Sequence, residues 1–422
     1  MKSSARIREL CVDWYETIVC SFFVLAAVTF TATVALQLRT PRMRIAVHSG
    51  VEGAPLKALA KRFCDEKGFE VEVVELDYDE LFDEELKAVS SPASQFDVIQ
   101  LDDPWFPALI RGNTRDSSRS PRLAQVKLED DEWSHFYDSC RRVCQYPYCK
   151  ESSDCHSPYY AIPFVGNSTL LTRWAASAVS PQDKILPFEN PRFAMRIGTA
   201  NSIVTDFIQA LRMIDPNSLG IEHARELSPE TKSVFEKIAG LGKQRSLGAA
   251  SMDDFDLAID MRSRRADSSI VWSAWTMALR NLPPDPERQP DGKSLVFDVP
   301  THPELGAWLL AVPVSARHRS AGEKFLRFAA SKKQVEASVE YGNPPARSDV
   351  LEDKEHQWPQ HPSFERQAAS LSQATPRPRM WNWRSLEATL GETISALYAG
   401  ELTTEAAWSR INDEIRKLAT EP

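Results

Sequence analysis

The pattern of apolar and polar positions predicts alternating strands and helices from residue 44 onward. Arg44–His48, RIAVH, is a short apolar strand that ends in SGVEG. The next stretch, 54–67, has Pro55 in its first turn and Leu56, Leu59, Ala60 and Phe63 at helical spacing, and Gly68 ends it. Phe69–Leu76, FEVEVVEL, alternates in part and predicts a second strand. Asp77 and Glu80 form a capping-box-like start for a helix running to Val89. Phe96–Leu101, FDVIQL, is apolar on nearly both faces, as a buried central strand is. Strand, helix, strand, helix, strand with right-handed crossovers gives a parallel sheet.

Further elements follow at wider spacing. A strand is expected over 193–199 with a helix to about 213, then helices over 229–239 and 252–263 and a strand over 268–272. Residues 281–303 hold six prolines and little periodicity, so they form a loop or a crossing between lobes. Residues 305–312 predict a strand containing Gly306 and Trp308. An amphipathic helix over 321–330 and two tail helices, 386–399 and 404–418, complete the α/β reading.

The apolar run 17–38, TIVCSFFVLAAVTFTATVALQL, has no charged residue in 22 positions. About 20 apolar residues cross a bilayer core as a helix, and signal-peptide cores are shorter, so the run reads as a retained anchor. Cleavage near Ala35 is the weaker alternative, and Val19 before Cys20 argues against lipidation. Basic residues flank the run on both sides, so charge does not orient it. The 422 residues suit two lobes of roughly 150–200 residues each. The net charge of −9, with no basic stripe, excludes nucleic acid as a partner class.

Four of the seven cysteines cluster: Cys140, Cys144, Cys149 and Cys155. Their spacing fits no common zinc pattern, so two short disulfides are the preferred reading over metal or free thiols, with connectivity open. Cys64 reads as a small buried side chain. No serine-hydrolase elbow, zinc-protease, P-loop or dinucleotide motif occurs. The third strand runs straight into Asp102, Asp103, Pro104 and Trp105. Ligands of open parallel sheets sit beyond the carboxyl ends of the strands, so these side chains and the loop 49–53 mark the candidate site.

The order of these elements and several strings resemble the extracellular solute-binding proteins of ABC importers, the family that includes maltose-binding protein. The strings are RIAVHSGVEGAPLKALAKRFCDEKGFEVEVVELDYDEL, FDVIQLDDPWFPALI, YYAIPFVGNSTLL, ADSSIVWSAW, GAWLLAVPVSARHRSAGEKFLRFAASKKQVEASVEYGNPPARSDV and the ending from TPRPRMWNW onward. They span about 43–418 in family order. The chain departs from the family pattern in a short stretch between Leu171 and Pro191, in residues 111–122, and in the cysteine cluster.

The resemblance implies two α/β lobes joined by three crossings, with Pro163 and 301–306 in the hinge. Lobe one comprises 43–160 and 305–345, and lobe two comprises 165–300 and 346–422. It implies a small solute, a sugar or polyol, held between lobes outside the cytoplasm, a membrane permease as partner, a monomer, and no cofactor or metal. Asp102 and Asp103 would accept hydroxyl hydrogen bonds. Trp105 would either stack on the solute or plug the strand end. Asn167 would bridge the lobes. One of Trp272 and Trp275 would line the cleft while the other packs, Trp308 would face core or cleft, and Trp381 is favoured over Trp383 as the C-terminal stacking ring. Glu52 and Arg196 read as surface ion partners. A tethered sensor of the same fold is the alternative function. A glycosidase needs carboxylates about 5–9.5 Å apart across a bond, which adjacent residues on a turn do not supply.

Overall fold

The computed structural model describes residue 21, residues 42–112, 120–148, 157–175, 188, 190, 192–198, 200–219, 226–243, 250–251, 253–276, 279, 294–342, 344–353 and 364–420. The anchor assigned to 17–38, Ser21 apart, lies outside these residues, as do Cys149, Cys155 and most of 281–303. Among the described residues no helix is long and apolar enough to cross a membrane.

Two five-stranded mixed sheets form the two lobes. The first uses β1 (Arg42–His48), β2 (Glu70–Leu76), β3 (Val98–Asp102), β4 (Ile162–Val165) and β11 (Trp308–Ala311), in the order β2-β1-β3-β11-β4. Its first three strands are parallel, and β11 runs antiparallel between β3 and β4. The second uses β5 (Thr169–Ala175), β6 (Phe193–Arg196), β7 (Ala250–Ser251), β8 (Ser268–Trp272) and β9 (Ser294–Asp298), in the order β7-β6-β8-β5-β9. Burial follows the sequence pattern. The all-buried β3 lies mid-sheet, whereas β2, with its glutamates, is an edge strand and half-exposed.

The chain passes from the first sheet to the second between Val165 and Thr169, and returns between Asp298 and Trp308. On the way back, β10 (Glu304–Leu305) pairs in parallel with β12 (Thr375–Pro376), which belongs to a third passage. The single strand expected over 305–312 is therefore two pieces. Gly306 leaves the ladder because its N–H donates to the Asn167 carbonyl at 2.9 Å, and the Trp272 ring packs on it. The helices Trp383–Ala399 and Thr404–Thr420 pack with helices Ala200–Ile214 and Lys232–Lys243 of the second lobe. Residues 344–352 stay on the first lobe, where Gly166 N–H donates to the Pro344 carbonyl and Tyr137 N–H to the Ala346 carbonyl.

Two local expectations need correction. Asp77 does precede the helix Tyr78–Ser90, but its carboxylate accepts from Ser49 Oγ at 3.0 Å rather than capping the helix. The two expected disulfides are not formed by Cys140 and Cys144, which are free and fully buried. Both belong to the main apolar cluster, and Cys144 Sγ donates to the Cys140 carbonyl at 3.5 Å. Burial as small core side chains accounts for these thiols.

Candidate functional site

A cleft of about 880 Å³ opens between the lobes. Its first wall begins where β1 ends. His48 N–H donates to Gln100 Oε1 at 3.0 Å, and Gln100 Nε2 donates back to the Glu52 carbonyl at 3.2 Å, so a buried polar side chain of β3 fixes the loop 48–52. Gly53 is required here, because a Cβ on it would lie 1.9 Å from the His48 carbonyl oxygen. The loop places His48 and Glu52 in the wall, and Trp308 from β11 stacks on the His48 ring at 4.8 Å.

Asp102, at the end of β3, also lines the cleft. It accepts from Tyr78 Oη at 2.7 Å and from Arg377 Nη2. Asp103 lies behind it, fully buried, and accepts from the same guanidinium nitrogen at 2.8 Å. Burial pushes the Asp103 carboxyl up to about 6, against the pull of Arg377. Arg377 also stands 3.7 Å from Glu304 of β10, so one guanidinium ties the end of β3 to the β10–β12 pair between the sheets.

Trp105 does not face the cleft. It is fully buried against Tyr78, Phe82 and Trp308, with ring centroids 4.5, 5.3 and 5.9 Å away, and so plugs the strand end. Asn167 sits in the first passage and lines the cleft. Its Oδ1 accepts from Ser273 Oγ at 2.9 Å and from Ala274 N–H at 3.1 Å. Trp272 and Trp275 both line the cleft, where the sequence predicts that one of them packs; Trp275 also packs on the second apolar cluster. The Trp272 ring fills the space over Gly306, where a Cβ would come within 2.6 Å of it, and the Arg377 guanidinium lies 5.7 Å from its centroid.

Trp381 is half-buried and is not among the residues lining the cleft. Its segment contributes Arg377, Arg384 and Ala388 instead. Trp383 is buried and donates Nε1–H to Glu387 at 3.2 Å. Arg196 is no surface partner. It is fully buried, ion-paired with Asp206 and, at 2.7 Å, with Asp254, which lines the second wall. Burial raises Asp254 to about 6, and Glu52 across the cleft adds to that shift while Arg196 opposes it. Glu52 is likewise a cleft residue, its side chain only 11% exposed.

His48, Tyr78, Arg377, Arg384, Asp254 and Phe255 line the cleft without standing out in the sequence. The RPR string before Trp381 is the available signal for Arg377, but the aromatic pair that follows it is the stronger pattern.

Two α/β lobes joined by several chain passages around an aromatic and polar cleft define the class of hinged solute binders. Residues 58–366 match the family described as bacterial extracellular solute-binding protein, and the chain belongs to that family. No curated protein matches it. Among solved structures, maltose-bound MalE3 of T. maritima is similar over 89% of this chain and 99% of its own, at 16% identity and a TM-score of 0.72. The GacH receptor of Streptomyces glaucescens is similar over 90% and 98%, at 15% identity and 0.68. A ribitol complex of an ABC-transporter solute-binding protein from Agrobacterium radiobacter is similar over 89% and 98%, at 16% and 0.68. At these identities the likeness is one of fold.

Proposed function

We propose that this protein is the extracytoplasmic solute receptor of an ABC-type importer and closes on a sugar or polyol. The observation that carries this reading is the make-up of the cleft. Trp272, Trp275 and Trp308 offer flat apolar faces for the C–H faces of a ring, and Asp102 and Asn167 offer groups for its hydroxyls. The related structures hold maltose and ribitol, solutes of this kind. In this reading lobe one comprises 43–160 and 305–345 and lobe two 165–300 and 346–422. The contacts of 344–352 favour moving the last boundary beyond Leu351.

A panel of sugars and polyols tests the reading by thermal shift. A true ligand at about 100 times its dissociation constant adds about 2.7 kcal/mol of stability. The ligand must also be recovered unchanged, and product formation would replace binding by catalysis. A panel that leaves the melting temperature unmoved would sink the sugar reading. The uncharged run 17–38 favours a receptor tethered to the membrane, either for import or as a sensor for a membrane partner. Sedimentation with membranes after alkaline extraction supports the tether, and a soluble form beginning near residue 36 opposes it. Loss of solute uptake on deletion separates importer from sensor.

A further inference from the structure

Among the described residues the cleft is lined by seven carboxylates and two guanidinium groups. Both guanidiniums are already taken: Arg377 by Asp102 and Asp103, and Arg384 by Asp79 and Glu387. Asp254 is held by Arg196 from behind. Glu52, Asp77, Glu80 and Asp253 remain without a lysine or arginine partner among the described residues. The Asp77 carboxylate accepts from Ser49 Oγ, and Asp253 caps its own helix by accepting from Asp256 N–H at 2.8 Å. Among the described residues these groups give the cleft an excess of negative charge, whose field its low-dielectric walls focus.

Glu52 is the one of these four that is nearly enclosed. Its carboxylate accepts no hydrogen bond among the described residues, and the nearby group is His48 Nδ1, 3.6 Å away. A carboxylate this largely covered, with no lysine or arginine beside it among the described residues, is free to pair with a ligand cation. Glu52 projects from the first lobe and Asp254 from the second, so an ammonium between them would attract both walls. A second feature points to a solute with oxygen acceptors. Asn167 is 2% exposed and lines the cleft, and its Oδ1 is used by Ser273 and Ala274. Its Nδ2 amide is then left as a donor with no protein acceptor among the described residues.

We propose that the cleft selects polyhydroxylated solutes carrying a protonated amine, such as amino sugars or aminocyclitols, with Glu52 as counter-ion and the Asn167 amide on a ring oxygen. This rests on the solute-receptor reading above and narrows its ligand class. Neutral sugars use carboxylates as hydroxyl acceptors, but that demand does not call for a surplus of unpaired acids around the mouth.

Calorimetry on matched pairs tests it: glucose against glucosamine, N-acetylglucosamine as the uncharged amide, and inositol against its amino analogue. The amine member is expected to bind about tenfold tighter or more. That advantage should shrink as sodium chloride is raised. In Glu52→Gln, checked for an unchanged circular dichroism spectrum, the amine-to-neutral affinity ratio should fall toward one. Amines that bind no better than their neutral partners, or a ratio that Glu52→Gln leaves intact, overturn the inference while the solute-receptor reading stands. Absence of binding by every member of the panel overturns both.

Discussion

At the scale of single residues, Glu304 has the most unusual surroundings. It is fully buried, and neither carboxylate oxygen has a hydrogen-bond partner among the described residues. Burial pushes its carboxyl up to about 8, against the pull of Arg377 and Arg212, with Asp103 adding to the rise. The folded protein therefore holds this proton more tightly than the unfolded chain, whose glutamate releases it near 4.5. Stability associated with Glu304 is full below that value and is lost as pH rises toward 8, with a slope of at most about 1.4 kcal/mol per pH unit. Urea unfolding from pH 5 to 8 should show a decline that Glu304→Gln flattens; identical slopes in the two proteins would contradict it. The thiols give a second prediction at this scale. Burial drives Cys140 up to about 12 and Cys144 well above its ordinary value, so neither is a ready nucleophile in the fold. Alkylation of native protein should spare both, and unfolding without reductant should expose both to the reagent by mass spectrometry. Continued protection after unfolding would mean a disulfide. The place of Asp102 in the cleft wall is legible in the sequence because an apolar strand ends on it, whereas Asp103 turns behind it into the core. Arg377 is not legible, since its partners lie 275 and 274 residues away, a relation that no local pattern carries.

At the scale of elements, the sequence is clear where an element is buried by its own neighbours and opaque where another lobe decides. The order β1, helix, β2, helix, β3 was readable because each apolar run faces helices close in sequence. Trp105 could not be assigned to plug or platform, because the rings that enclose it come from the helix Tyr78–Ser90 and from β11. The aromatic signal near the C-terminus misled for a related reason. The segment enters the cleft through Arg377 and Arg384, and their partners sit in the first lobe and on the helix face. The break between β10 and β11 depends in the same way on a ring from the second sheet. Gly306→Ala should drive a Cβ into Trp272, and overpacking of this kind costs about 1–3 kcal/mol. We expect lower stability by denaturant unfolding, weaker solute binding and a shifted tryptophan emission. Native stability and affinity in Gly306→Ala would show that the ring moves aside freely.

At the scale of the whole molecule, the two walls of the cleft belong to different sheets, so occupancy and lobe separation are coupled. A solute that touches both walls stabilises whichever separation lets it do so, and a hinge of a few passage residues permits the change. Phe255 gives this a measurable marker. It is 51% exposed, on the first turn of the second-lobe helix Asp254–Arg262, and it lines the cleft whose opposite rim carries Asp79 and Glu80. A large apolar ring left half in water at a cleft mouth gains when the mouth closes over a solute. Full burial of a phenylalanine is worth about 1.5–3 kcal/mol, so covering the exposed half contributes about 1 kcal/mol, or roughly fivefold in affinity. Saturating solute should therefore lower the radius of gyration in small-angle scattering. Phe255→Ala should bind roughly fivefold more weakly while still contracting, because the hinge is intact. Undiminished affinity in Phe255→Ala would take the ring out of the closed contact. A radius unchanged by bound solute would mean that the lobes already stand at the separation seen here, and that the cleft fills without a hinge motion.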